Sequence, residues 1–84
     1  MLISVVIPTL NTRPQFLKEA LNSIEKQSYL PSEVIIVNNG IEDLKLPETS
    51  LNIRQFKIVF KSGVAQARNF GASISKGNYI AFLD

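Results

Sequence analysis

Four short apolar runs alternate along the chain with two segments whose apolar residues return at helical spacing. The first run, LISVVI at 2–7, is interrupted only by Ser4. A β-branched run of this kind predicts a strand buried on both faces, as in parallel sheets. PTLNT follows and reads as a turn. Thr12 then stands where a helix cap is wanted, Pro14 suits the first turn, and Gln15 comes three residues after the cap. Leu17, Ala20, Leu21 and Ile24 recur at helical spacing, which predicts a helix over 13–28 with one buried stripe.

EVIIV at 33–37 predicts a second buried strand, ended by the turn signal NNG. Residues 41–52, with Pro47 and mixed charges, read as a loop with one helical turn. In RQFKIVF, Phe56, Ile58 and Phe60 alternate on one face, as expected of a third strand nearer an edge. SGVAQARNFGASISKG predicts a second helix, capped by Ser62 or Gly63, with Val64, Ala67, Gly71 and Ile74 along one side. Lys76 suits its last turn and Gly77 a left-handed closing residue. The small residues Ala67 and Gly71 would let this helix sit close against a sheet. The last run, 79–83, reads as a fourth buried strand with Asp84 at its tip. The order β-α-β-loop-β-α-β predicts an α/β fold: a Rossmann-like parallel sheet of about four strands with covering helices.

Composition narrows the chemistry. Eighty-four residues make one domain or part of one. A chain this short buries only about 60–65% of its unfolded surface, so its stability is marginal. There is no cysteine, hence neither disulfides nor thiolate metal sites, and the absence fits a reducing, cytoplasmic setting. There is no histidine, which removes the commonest general base and the Ser–His and Cys–His pairs. Catalysis would have to rest on carboxylates or on a metal held by oxygen. The net charge of +2 comes from scattered Lys and Arg without interleaved aromatics, which argues against nucleic acid as a partner. The apolar opening lacks a basic leader and falls far short of the ~20 residues that span a bilayer.

In open α/β sheets, ligands bind beyond the carboxyl ends of the strands. PTLN after strand one, NNG after strand two, the start of the second helix and Asp84 should meet there. No G-x-G-x-x-G follows strand one. GASISKG has the letters of a Walker loop in scrambled order and closes a helix instead of opening one. Phosphates would need a metal or basic groups from elsewhere.

Taken together, SVVIPTLN, FLKEALNSIEKQSY, EVIIVNNG and GVAQARNFGASISKGNYIAFLD resemble the amino-terminal, nucleotide-binding half of a family 2 glycosyltransferase with the GT-A fold. The likeness covers nearly the whole chain and is weakest over 41–60. In that family the fourth strand runs into a D-x-D motif, and Asp84 matches its first acid. The resemblance implies that residues 1–84 are the nucleotide-sugar half of a larger domain, cut inside that motif, with the acceptor half absent. It also implies that the turn after strand one passes under the nucleotide base, with contacts from Pro8 and Thr9, while Asn11 forms the turn within the nucleotide-binding set. Asn38 stands where the family usually has an acid facing the base, and its neutral amide bonds more weakly. Leu10 stands where the family often has a stacking aromatic. Arg68, in the A-R-N match, would reach the base or the metal region. Asp84 would contact ribose or help hold manganese or magnesium, which needs further oxygen ligands.

The implied reaction is transfer of a sugar from a nucleotide diphosphate, UDP-sugar foremost, to a saccharide or other acceptor hydroxyl. It would proceed with inversion and with a metal on the leaving diphosphate. The fragment alone would not turn over, and the full protein could sit peripherally at the cytoplasmic membrane face. Two other readings stand beside this one. One is a Rossmann-like binding or regulatory domain without catalysis, although a receiver-type domain needs acids clustered at the strand ends. The other is an interaction fragment that self-associates through an uncovered sheet edge or face.

Overall fold

Val34, Ile35, Ile36 and Val37 are wholly inaccessible to solvent, on side chains that alternate between the two faces of one strand. Each contributes about 1.5–3 kcal/mol by leaving water, so this strand anchors both layers of the fold. The computed structural model describes residues 2–9, 14–38, 46, 48–58 and 64–83. In chain order these form β1 (Ile3–Thr9), α1 (Pro14–Glu25), β2 (Glu33–Asn38), β3 (Ile53–Lys57), α2 (Val64–Ile74) and β4 (Tyr79–Phe82). The strands make one four-stranded sheet in the order β3-β2-β1-β4, with every pair parallel. This is the expected Rossmann-like α/β architecture, with β3 at an edge.

One core layer joins Val5 and Ile7 of β1 and Val34 and Ile36 of β2 to Leu17, Leu21 and Ile24 of α1. These three are the stripe that the helical spacing marks out, with Ala20 half-buried beside it. The other layer joins Val6, Ile35 and Val37 to Ala67 of α2, with Phe56, Ile58, Phe70 and Ile74 packed around them. Phe70 meets the Phe56 ring edge-on at 5.5 Å between centroids. Leu46 and Leu51 pack on the α1 layer, and the Thr49 hydroxyl donates to Glu25 at the end of α1.

Gly71 sets the height of α2 over the sheet. A Cβ there would lie 2.4 Å from Val6 Cγ1, and Val6 is fully buried and β-branched, with no room to turn aside. Gly71→Ala should therefore lower stability by about 1–3 kcal/mol, even though alanine is the better helix former by about 1 kcal/mol. In urea melts, the double variant with Val6→Ala should lose less than the sum of the two single changes. An unchanged midpoint for Gly71→Ala would show that the approach is looser than described.

Several expectations need correction. Pro8 and Thr9 belong to β1, not to a turn, in register with Val37 and Asn38. An interior strand accepts Pro8 because of where its missing N–H points. The Leu83 N–H donates to the Val6 carbonyl at 3.0 Å, so Val6 faces β4. Residues two apart along a parallel strand face the same neighbour, so Pro8 also faces β4, where the ladder ends. The Leu83 carbonyl then finds no N–H on β1 to accept from. Helix α1 stops at Glu25, short of residue 28, because the Gln27 N–H bonds only three residues back, to Ile24.

The end of α2 is closed differently from the expectation. Gly77 has no left-handed backbone; it is needed for space, since a Cβ would lie 2.6 Å from Ser4 Oγ and 2.7 Å from Ser4 N. The last carbonyls of α2 are met instead by Ser73 Oγ on Phe70, by Ser75 Oγ on Ala72 and by Arg54 on Ile74. Lys76 lies beyond the helix. The strand at 79–82 is exposed rather than buried, with Tyr79, Ile80 and Phe82 at 61%, 38% and 47%. It is an edge strand, and α1 and α2 lie over β1 and β2. Thr12 as cap, the turn at 39–40, Phe60, and the cap at Ser62 or Gly63 fall outside the described residues. Residues 46 and 48–52 show no helical turn.

Candidate functional site

The carboxyl ends of β1, β2 and β3 place Thr9, Asn38 and Lys57 in register across three strands. The three lie on the α1 face of the sheet, because side chains alternate and Val5, Ile7, Val34 and Ile36 of the same strands fill the α1 layer. The Thr9 hydroxyl donates to Asn38 Oδ1 at 3.3 Å. Both residues are buried, at 4% and 1% exposure. The pair therefore locks the two strand ends together and shows only its rim to a ligand. The Ile58 N–H donates to the Asn38 carbonyl at 2.9 Å, which carries the β2–β3 ladder one residue past β3.

Arg68 lies on the opposite face. It projects from α2, and its guanidinium carbon sits 5.8 Å from the centre of the Phe82 ring at the end of β4. Pro8 shares this face by alternation with Val6. The structure thus divides the predicted residues, with Thr9 and Asn38 on one face of the carboxyl edge and Pro8 and Arg68 on the other. A single ligand would meet both sets by straddling the edge. Asn11 and Asp84 lie outside the described residues.

The edge is cationic among the described residues, with Lys57 and Arg68 near it. The described acids lie elsewhere: Glu19 and Glu25 on α1, Glu33 at the start of β2, and Glu48 in the segment before β3. Lys57 escaped the sequence reading because it looks like one of several solvated lysines. Only its register with Asn38 brings it to the edge.

No group of three His, Cys, Asp or Glu that could hold a metal ion occurs among the described residues. At the carboxyl edge the described side-chain oxygens, those of Thr9 and Asn38, are neutral and already bonded to each other. That donor set does not by itself fit manganese or magnesium, which favour carboxylates and phosphates.

Glu33 marks the other end of the sheet and was missed as a polar centre. Its Oε2 accepts from Ser4 Oγ at 2.6 Å and from the Lys76 N–H at 2.7 Å, and its Oε1 accepts from Arg54 Nη2 at 2.7 Å. The Gly77 N–H donates to Ser4 Oγ at 2.9 Å, and Arg54 also donates to the Ile74 carbonyl at 3.0 Å. Burial pushes the Glu33 carboxyl up, but the bonds from Lys76, Ser4 and Arg54, with the charge of Arg54, outweigh it and hold the carboxyl below its ordinary value. This network ties the end of α2 to β1, β2 and β3, and so fixes the helix that carries Arg68. Among the described residues, no helix is long and apolar enough to cross a membrane.

The model of the family described as Glycosyl transferase family 2 matches residues 4–84. The chain is 37% identical over 89 residues to glycosyltransferase GlyG of Streptococcus pneumoniae, covering 99% of this chain and 29% of that protein. It is 28% identical over 88 residues to the uncharacterized glycosyltransferase EpsJ of Bacillus subtilis, covering 99% of this chain and 25% of that protein. It is 31% identical over 91 residues to glycosyltransferase GlyA of Streptococcus pneumoniae, covering 98% of this chain and 12% of that protein. The chain thus spans less than a third of the length of these relatives. No solved structure matches it. A match running from residue 4 to residue 84, over a parallel α/β sheet whose polar residues gather at the strand ends, leaves one assignment: the chain belongs to glycosyl transferase family 2.

Proposed function

We propose that this chain forms the donor-binding part of a glycosyltransferase that uses a nucleotide-diphosphate sugar, with UDP-sugar the first candidate. The observation that carries the reading is the carboxyl edge itself. There, the Thr9–Asn38 pair and the Arg68 guanidinium flank the two faces of the sheet, where a ligand of an open α/β sheet belongs. The neutral hydroxyl and amide at the rim of Thr9 and Asn38 suit an uncharged base rather than a phosphate. Arg68 and Lys57 suit the anionic part of the nucleotide.

In the transfer, the acceptor hydroxyl gives up its proton and attacks the anomeric carbon from the side opposite the diphosphate. The carbon–oxygen bond to the diphosphate breaks and inverted product forms. The described residues supply no base for that proton at the carboxyl edge, so their task is to bind and orient the donor. On its own the chain is expected to bind donor without turning it over. Metal dependence is a further part of the proposal, and it rests on Asp84 with additional ligands rather than on the described edge.

The test is titration of UDP into the folded chain, with and without magnesium, followed by amide chemical shifts. Shifts gathered at Pro8's neighbours, Thr9, Asn38 and Arg68 are expected, whereas Ser4, Glu33 and Lys76 at the far end should stay still. No response at millimolar UDP from a folded chain would overturn the reading. A larger response to GDP or TDP would keep the site and change the base.

A further inference from the structure

We propose that Phe82 is a positioning residue for the donor site, its ring holding the Arg68 guanidinium where the nucleotide meets it. The proposal rests on the donor-site reading and adds a residue that this reading does not use. The guanidinium carbon stands 5.8 Å from the ring centroid, within cation–π range. Among the described residues Phe82 is 47% exposed.

Both partners are held from one residue, Val6. Phe82 is in register with Val6, and the Leu83 N–H closes on the Val6 carbonyl at 3.0 Å. On the other side, Gly71, one helical turn after Arg68, presses against the Val6 side chain. The pair is therefore placed by a strand and a helix rather than by loops, which is what a precise site needs. Ordering a long arginine before ligand arrives lowers the entropy lost on binding. A ring beside the guanidinium limits where its N–H fork can point, which suits a planar or bidentate acceptor.

The experiment measures UDP affinity by amide shifts in the wild-type chain, Phe82→Leu, Phe82→Trp, Arg68→Ala, and Arg68→Ala with Phe82→Leu. Phe82→Leu should bind UDP about three- to tenfold more weakly, and Phe82→Trp no more weakly than wild type. In the Arg68→Ala background, Phe82→Leu should have no further effect, because the ring acts through the guanidinium. In the free protein, the Arg68 Nε–H resonance should move in Phe82→Leu as the ring current is lost.

Wild-type affinity in Phe82→Leu, or an equal further loss in the Arg68→Ala background, would overturn the proposal and leave the donor site standing. Absence of UDP binding to the wild-type chain would remove both. Should Phe82→Leu fail to fold, Phe82→Trp still decides, since weakening in a folded Phe82→Trp chain contradicts the cation–π contact.

Discussion

Glu33→Gln is expected to lower the stability of the chain by about 2–4 kcal/mol at neutral pH. The change keeps size and shape but turns one acceptor oxygen into a donor. Both oxygens are occupied, one by Ser4 Oγ and the Lys76 N–H and the other by Arg54. Whichever way the amide points, an N–H faces an N–H or the cation. Breaking a deeply buried ion pair costs about 3–5 kcal/mol, but the Arg54 side chain is 31% exposed and can recover part of its hydration, which lowers the figure. For a domain of this size the loss corresponds to a melting point lower by roughly 10–25 °C.

The same carboxyl sets the acid limb of stability. Its pKa in the folded chain lies below its ordinary value, so the stabilisation is complete above the unfolded value of about 4.3 and disappears as pH falls through the folded value. The gap between wild type and Glu33→Gln should therefore be widest near neutrality and narrow once the pH drops below about 4. Thermal melts of both proteins from pH 7 to pH 3 would show it. Equal melting points at pH 7 would mean that the network contributes nothing net.

Arg68→Ala should weaken UDP binding by about ten- to a hundredfold, the range that charge-assisted hydrogen bonds contribute when a cation is lost. Arg68→Lys keeps the charge but loses the planar fork, and should recover only a small part. Comparing UDP with uridine locates the contact. If Arg68 serves the diphosphate, uridine affinity is the same in wild type and Arg68→Ala; if it serves the base, both ligands weaken together. An unchanged dissociation constant for UDP in folded Arg68→Ala would remove Arg68 from the site. Global stability should fall little, because Arg68 is only half-buried on an outer helix.

The layers of this fold could be read from period alone. Leu17, Leu21 and Ile24 fall on one helical stripe, and VIIV at 34–37 is apolar at every position because both of its faces are covered. Gly71 was legible as well, since a small residue on the apolar side of a helix signals close approach. Period carries no information about what lies beside a strand, however. YIAF looks the same in the middle of a sheet as at its edge, and only the pairing order shows that β4 is exposed.

Polar residues behave the same way. Ser4, Arg54 and Lys76 lie 29, 21 and 43 residues from Glu33, so no local spacing announces that they converge on it. At the carboxyl edge, polar residues after apolar runs marked out Thr9 and Asn38. Their bond to each other, and the placement of Arg68 on the far face, depend on a register that the runs do not encode.

The sheet order also governs how the chain comes together in time. Of the four strands, β1 is made first, yet it lies between β2 and β4, the latest of them. The α1 layer draws most of its residues from β1, α1 and β2, which follow one another directly and close short loops. Pairing of β1 with β4 must wait for residues far along the chain: 76 residues separate the Leu2 N–H from the Asn78 side chain that accepts it. Contacts so distant in sequence form slowly. On a ribosome, which releases the amino end first, the α1 layer can settle while β1 still has one bare edge. Arg68 meets Phe82 only when that edge is filled, so the cationic side of the carboxyl edge is assembled after the α1 layer.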